Sequence, residues 1–361
     1  MTPPPRLDAL TGVRGIAAWA VVFFHIRLSL AASLPGAVIT ILSKGYLAVD
    51  LFFVLSGFVI WLTYGDRLAE GGWRTAPPFF RRRIARIYPL HIVVLALTAG
   101  LALSLQAAGR PNADQFPWPL LPLNMALMHN WGFTSRLAWN DPSWSISAEW
   151  AAYLLLPLAA PAIAWRGWTP VRAGLAIFGL GSGLYGWMAV HGVPTLGIDV
   201  PRFGLVRCLF EFVMGALMCR FWRSTDNRRL TMGSASALIV TIMLYSMGLP
   251  ETLCAPLGCV TLVGLLAATS GARGNVFETR ALVWLGEISY STYLIHFALW
   301  IVFKLLFVHD LRAVPPLLIL AYLTTTLAAS ALLYHLVEQP GRRWVATLGR
   351  PRLTGTARSA P

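Results

Sequence analysis

Stretches of eighteen or more mostly apolar residues recur along the whole of this 361-residue chain, each long enough to cross the hydrocarbon of a bilayer. A backbone in lipid must satisfy its own hydrogen bonds. These runs lack the alternation of barrel strands, so the constraint leaves helices. Charged residues make up only 12% of the chain, against about 25% in ordinary globular domains. The expected fold is all-α, a polytopic membrane helical bundle.

The runs that read as crossings are 8–31, 45–65, 87–108, 145–165, 172–191, 203–222, 231–248, 253–270, 282–306 and 314–337. A further candidate, 118–131, is short and contains Pro119 and Pro122. Leaving it out puts Arg67 to Arg86, Arg166, Arg172, Arg220 to Arg229, Arg273, Arg280 and the tail from Arg342 on the side of the N-terminus. Positive loops favour the cytoplasm, so about ten transmembrane helices with both termini cytoplasmic are expected, and an outer loop of about 109–144 that dips into the membrane. Residues 1–340 read as one membrane-embedded domain and 341–361 as a short basic tail, in the inner (plasma) membrane of the cell. The net charge of +14 sits in short loops, so it reads as topology signal and not as a nucleic-acid surface. Cys208, Cys219, Cys254 and Cys259 lack metal-type spacing and read as packing thiols, and no metal site is expected. Charges inside the first span argue that it is not a cleaved signal.

Within this apolar background, Arg14 and His25 stand out in the first span. A charge near mid-bilayer is costly unless it is paired or faces a wet cavity. Eleven residues apart on a helix, the two share one stripe and lie about 16 Å apart along the axis, too far to touch but suited to two ends of one long ligand. The topology sorts other polar residues by depth. Arg81, Arg82, Arg83, Arg86, His91 and the stretch from Glu338 to Arg343 fall near the cytoplasmic face. His25, Asp50, Arg202, Arg207 and the run from Trp144 to Glu149 fall near the outer face. A histidine and two carboxylates at similar depth are material for acid–base chemistry. Structural readings stand beside each of these. The arginine cluster could serve only as a topology anchor, Asp50 could pair with a structural arginine, and Glu149 with Tyr153 could be an inert buried pair. His91, His296 and His335 read as structural, and Gly286 with Ser289 to Ser291 as close helix packing.

At these residues the sequence resembles the acyltransferase-3 family of integral membrane O-acyltransferases. The resemblance covers nearly the whole chain with motifs in family order. They are Leu-Asp-Ala-Leu-Thr-Gly-Val-Arg-Gly at 7–15 with His25, then Gly45 with Val49-Asp50-Leu-Phe-Phe-Val-Leu-Ser-Gly-Phe58, then Phe80 with Arg82-Arg83-Ile-Ala-Arg86-Ile-Tyr-Pro89. Ser143-Trp-Ser-Ile-Ser-Ala-Glu149 with Tyr153 and Pro157, Glu211 with Gly215, Leu285-Gly-Glu-Ile-Ser-Tyr-Ser-Thr-Tyr-Leu-Ile-His296, and Glu338-Gln-Pro340 complete them. The resemblance implies transfer of an acyl group, commonly acetyl, from acyl-CoA to a hydroxyl, often on a cell-surface glycan. It implies a catalytic role for His25 and donor binding by Arg14, Arg83 and Arg86. Some members carry an extracytoplasmic esterase-like domain, which is not expected here.

The depth map and the resemblance combine into one expected mechanism. Arg83 and Arg86, with Arg82, hold the phosphates of acyl-CoA, a donor substrate and not a bound cofactor. The arm runs past Arg14 to His25, and Asp50 or Glu149 orients the imidazole. Trp144 and Tyr153 are expected substrate contacts, and Arg202 or Arg207 an oxyanion donor. Expected partners are acyl-CoA, a hydroxyl-bearing glycan, lipid-linked sugar or small molecule, and membrane lipids, without nucleic acid. His25 as a transient acyl carrier stays open. So does the rival from another class, a transporter of a solute or glycolipid without catalysis, which the lack of an inverted repeat disfavours.

Overall fold

The computed structural model describes residues 5–164 and 167–347, with the side chains of 346 and 347 excepted. Among the described residues there is no strand. Ten helices of eighteen or more residues form the bundle. They are α1 Asp8–Ile26, α2 Ala48–Gly71, α3 Ala76–Ala107, α4 Ser143–Ile163, α5 Pro170–Val190, α6 Val200–Ser224, α7 Asn227–Ser246, α8 Glu251–Thr269, α9 Ser289–Phe307 and α10 Pro316–Leu333. Eight segments are long and apolar enough to cross a membrane. One of them, 36–107, contains both α2 and α3, and α6 falls outside because Arg202, Arg207, Glu211 and Arg220 interrupt it. The chain is therefore an all-α, multi-pass membrane protein. Exposed Val171, Leu175 and Phe178 on α5, and Ile239, Val240 and Met243 on α7, turn their apolar faces to lipid.

The ten helices match the ten expected runs, with three local differences. α3 starts eleven residues earlier than the expected 87, at Ala76, so the arginine cluster stands on the helix itself. Pro77 and Pro78 in its first turn carry a backbone preset for helix, and arginine propagates it well. The ninth run is broken at Ile288 between a short helix, Arg280–Glu287, and α9. After α10 the chain widens into a π turn, Tyr334–Glu338, and continues as a helix over Gln339–Thr347 packed against α3. The first residues of the expected basic tail are thus helical. The rest of that tail, 348–361, and Arg166 lie outside the described residues.

The helix ends carrying the arginines fall on one face, here the basic face, and the opposite ends form the far face. The segment between α3 and α4 descends from the far face and returns to it. Tyr88 donates to the Ala126 carbonyl at 3.2 Å, and His91 Nε2 bonds the Asn124 carbonyl at 2.8 Å. His91 lies sixteen residues before the far end of α3, about 24 Å at 1.5 Å per residue. The expected dip is therefore deep and lies inside protein, where irregular backbone is tolerated.

Lipid gives helices no hydrophobic reason to associate, so contact depends on small residues that let backbones close in. A Cβ on Gly12 would lie 1.8 Å from the Phe277 carbonyl oxygen, and one on Gly286 would lie 1.8 Å from that of Thr11. Gly286 presses the short helix that precedes α9 onto α1, and Gly12 presses α1 onto the turn at Phe277 just before that helix. Gly57 and Gly215 do the same for α2 and α6, where added Cβ atoms would meet the carbonyls of Phe212 and Val54 at 1.9 and 2.0 Å. At the basic face the Glu278 carboxylate accepts from the amides of Ala9 and Gly271 and the hydroxyl of Ser270, anchoring the first turn of α1. Burial alone would raise the pKa of that carboxyl, but these hydrogen bonds outweigh it and hold it below its ordinary value.

Gly286→Ala is expected to lower stability by about 1–3 kcal/mol or more, because the intruding methyl meets backbone. Gly233→Ala, with nothing within 4 Å of its added Cβ, is expected to be neutral or stabilising by up to about 1 kcal/mol. Thermal unfolding of the detergent-solubilised protein checks the pair, and an unchanged midpoint for Gly286→Ala contradicts the tight contact.

Candidate active site

A cavity of about 150 Å³ opens between α1, α2, α3, α4 and α9. Arg14, Arg83 and Arg86 stand on its wall with one carboxylate among the described residues, Glu149, and its deep end is formed by Phe52, Ser145 and Tyr293. The arginines differ in how far they are committed. Arg86 donates to Glu338 and lies over the Tyr290 ring at 5.3 Å. Arg14 donates only to Ser289 Oγ, at 3.3 Å. Arg83 lies between the rings of Tyr64 and Tyr153, at 5.5 and 5.9 Å, and its buried Nε has no acceptor. Two of the three guanidiniums thus keep donors for an incoming anion, and planar forks suit phosphate oxygens.

Glu338 ties this wall together. It is 1% exposed, and it accepts from Arg86, from Ser291 Oγ at 2.9 Å and from Arg342 at 3.4 Å, joining α3, α9 and the last helix. The π turn around it explains its reach, because one extra residue per turn redirects a side chain that a regular helix would aim elsewhere. Tyr290, one of the residues expected only to pack, donates to the Ile87 carbonyl at 2.8 Å and borders the cavity.

His25 does not line this cavity. Its Nδ1 lies 2.9 Å from the Val21 carbonyl oxygen and 3.3 Å from Nε2 of His296. A carbonyl only accepts, so Nδ1 of His25 carries the proton. The same logic applies to His296, whose Nδ1 is 3.1 Å from the Thr292 carbonyl, leaving its Nε2 to share the proton of His25. The chain of bonds leaves Nε2 of His25 with a free lone pair, the form a general base needs. Two α-helical histidines, each bonding the carbonyl four residues back, therefore orient each other. The Tyr293 ring lies 6.1 Å from that of His296, between the dyad and the cavity. Tyr293 is clamped there by Ser145 Oγ at 2.8 Å and the Pro142 carbonyl at 2.9 Å. The continuous passage expected from Arg14 to His25 is closed at this ring.

Neither expected carboxylate orients His25. Both oxygens of Asp50 are bound by Arg207, at 2.5 and 2.6 Å, and Arg207 also donates to the Leu196 carbonyl and lies over the Trp144 ring at 5.4 Å. Asp50 and Arg207 are 0% and 1% exposed, so this is a buried pair spanning α2 and α6, and Arg207 is turned onto Asp50 and the Leu196 carbonyl and does not line the cavity. Arg202 is exposed, beside Phe203. Trp144 is packed against Phe53 and Arg207, away from the cavity wall. Glu149 accepts from the Tyr153 hydroxyl at 2.5 Å, and Tyr153 also meets Ser56 at 3.1 Å. Those three residues do line the cavity, so Glu149 and Tyr153 fall on the donor side and not beside His25. Arg82 is exposed outside the cavity, over Tyr64 at 5.9 Å. Among the described residues no group of three or more His, Cys, Asp or Glu is placed to hold a metal ion.

The profile of the acyltransferase-3 family, described as an acyltransferase domain, matches residues 7–335. The chain belongs to that family. Acyltransferase MdmB of Streptomyces mycarofaciens is 29% identical over 98% of this chain and 96% of its own length. Protein 2 in picA locus of Rhizobium radiobacter is 41% identical over 31% of this chain and 53% of its own. The protein named "Putative O-acetyltransferase SACOL0978" in Staphylococcus aureus (strain COL) is 22% identical over 93% of this chain. The chain spans 57% of that relative's length. No solved structure matches. Family membership makes this a membrane acyltransferase, and it favours acyl transfer over the transport reading.

Sequence reasoning set His296 aside as structural although it closes the family's ninth-span motif. The missed signal was spacing: Tyr293 and His296 at i and i+3 share a helix face with Ser289, the partner of Arg14. Removing one partner of the buried pair is expected to be costly without touching the chemistry. Arg207→Met should destabilise by about 3–5 kcal/mol by leaving Asp50 charged and unpaired, and adding Asp50→Val should recover most of the loss. Thermal unfolding of the single and double variants checks this, and a mild single variant contradicts it.

Proposed function

We propose that this acyltransferase moves an acyl group, acetyl in the simplest case, from acyl-CoA on the basic, cytoplasmic side to a hydroxyl that arrives from the far side. The observation that carries the reading is the dyad, in which the bonds to Val21 and His296 leave Nε2 of His25 as a bare acceptor. The cavity supports it by size. At about 150 Å³ it is well below the roughly 300–1,000 Å³ of a pocket that engulfs a drug-sized ligand. A thin arm fits and a nucleotide does not, so the phosphates stay at the arginine mouth and the thioester leads inward.

In the transfer step Nε2 of His25 takes the proton of the acceptor hydroxyl as its oxygen attacks the thioester carbonyl. The C–O bond forms, the C–S bond breaks, and the departing thiolate receives that proton from the imidazolium, giving an ester and free CoA. His296 acts as a positioning residue that fixes the tautomer and turns the ring. For the thioester to meet His25, the Tyr293 ring must swing off its two hydrogen bonds. Closure at rest keeps water from the thioester and the acceptor side sealed from the cytoplasm. The acceptor is a hydroxyl of an envelope glycan, a lipid-linked sugar or a small molecule, and the name of the staphylococcal relative favours O-acetylation.

With labelled acetyl-CoA and cell-envelope extract, the purified protein is expected to form a covalently labelled acceptor. His25→Gln should cut turnover by about 10²–10⁴-fold with CoA binding unchanged. Arg83→Ala with Arg86→Ala should raise the donor KM at nearly constant kcat. An active His25→Gln enzyme ends the proposal, and unchanged donor affinity in the arginine variant returns the cluster to topology alone.

A further inference from the structure

A second cavity, of about 650 Å³, lies at the far face, where the end of α3 meets the descending segment. Its size falls in the range of pockets that enclose whole small ligands. Trp118 and Phe133 line it and are 41% and 59% exposed, so two large rings present open faces inside a concavity. Gln106, Asn112 and Arg136 share the wall. We propose that this cavity is the acceptor subsite and that it takes a neutral glycosyl unit, an inference that rests on the acyl-transfer reading above.

The chemistry of the wall selects the class. A sugar ring has apolar C–H faces that stack on aromatic rings, and a rim of hydroxyls that amides and a guanidinium can bind. Gln106, Asn112 and Arg136 are exposed here, so a hydroxylated ligand would replace their water with hydrogen bonds, whereas a lipid tail would cover them without replacing it. The charge of Arg136 is offset by Asp114 at 3.5 Å, which favours a neutral unit over an anionic one. An aromatic belt at the membrane interface would also carry tryptophan, but it faces outward and needs no concavity.

The site is built before any ligand arrives. Pro117 and Pro119 fix backbone angles on either side of Trp118. Trp139, 0% exposed, donates to the Pro117 carbonyl at 3.1 Å and packs against Trp118 with ring centroids 5.1 Å apart. Gln115 holds the Trp139 carbonyl at 3.1 Å. A platform locked this way loses little entropy on binding.

One packed apolar cluster separates the cavity from the dyad. Phe116 on its wall belongs to the same apolar cluster as Trp139 and Ile301, and Phe297 packs on that cluster. The Phe297 ring lies edge-on to His25 at 5.2 Å. His25 thus stands behind Tyr293 on the basic side and behind Phe297 on the far side, and in this proposal each ring moves aside for its substrate. The subsite anchors a sugar next to the one that reacts, or a distal part of the acceptor, and leaves the reacting hydroxyl to approach Nε2.

The test uses the full-length protein in nanodiscs, with methyl glucoside, methyl galactoside and methyl rhamnoside as probes and hexanol as a lipid-like control. Saturation-transfer NMR is expected to show contact with at least one glycoside. Trp118→Ala and Phe133→Ala, both at exposed rings, should each reduce that signal at least fivefold. In the transfer assay with labelled acetyl-CoA and the bound glycoside, the same variants should raise the acceptor KM at least fivefold with donor KM unchanged. Hexanol bound without any glycoside, or glycoside signals equal in wild type and variants, overturns the subsite. Glycoside binding that Trp118→Ala abolishes, with no acetyl transfer to any acceptor, supports the subsite and overturns the reaction instead.

Discussion

The bundle depends on backbone-to-backbone approach at its glycine contacts. In lipid, burying leucine against leucine gains little over leucine against an acyl chain, so helices are held where small residues admit carbonyl oxygens to near contact. Gly286 and Gly12 bring α1 onto the helix that leads into α9 and the turn just before it, and this approach sets His25 and His296 within 3.3 Å. Gly57 and Gly215 bring α2 onto α6, and this one closes Asp50 onto Arg207. The polar contacts then do what the glycines alone cannot, fixing rotation and register. The two hydrogen bonds between Arg207 and Asp50 exist at one register only, so sliding α2 along α6 by a turn would break both inside the bundle.

This division of labour explains which residues were readable from the sequence. The ten helices were legible because bilayer thickness imposes a length, and loop arginines impose a direction, with no knowledge of the tertiary structure. The dip between α3 and α4 was legible because counting that short, proline-containing run as a crossing would turn most loop arginines to the wrong side. Arg14 was recognisable by the cost of a charge inside a span, Arg83 and Arg86 by their motif, and the fold brings all three to one wall. The pairing of the carboxylates was legible as an alternative, Asp50 with some arginine and Glu149 with Tyr153, and the structure realises both; which arginine, and that neither carboxylate faces His25, was not recoverable. Asp50 and His25 sit at similar depth, but depth is one coordinate, and rotation about each helix axis decides that Asp50 meets Arg207. The break at Ile288 was hidden for a related reason, since an apolar run records exposure to lipid and not the continuity of its hydrogen bonds.

His296 shows a different limit. A buried histidine on an apolar face gives no periodicity signal, and its function in the dyad exists only because a second helix carries another histidine at the same height. Neither ring has a carboxylate beside it. Each uses a backbone carbonyl four residues back, an acceptor that every helix supplies when a side chain is short enough to reach it. A neutral chain of this kind suits a low-dielectric interior. It fixes the tautomer without burying a permanent charge, and the proposed transfer step asks for an imidazolium only transiently.

The two cavities then pose a constraint that the dyad resolves. A soluble acyltransferase can let donor and acceptor enter one cleft, but a membrane enzyme that served both faces through one open passage would leak ions and hydrolyse its thioester. Here the basic-side cavity stops at Tyr293, and the far-side cavity is separated from His25 by the cluster around Phe297. On the proposed mechanism, placing the base in the partition and not in either pocket lets each substrate bind in its own compartment, with movement of Tyr293 and Phe297 bringing the acceptor oxygen to the thioester carbon beside one imidazole nitrogen.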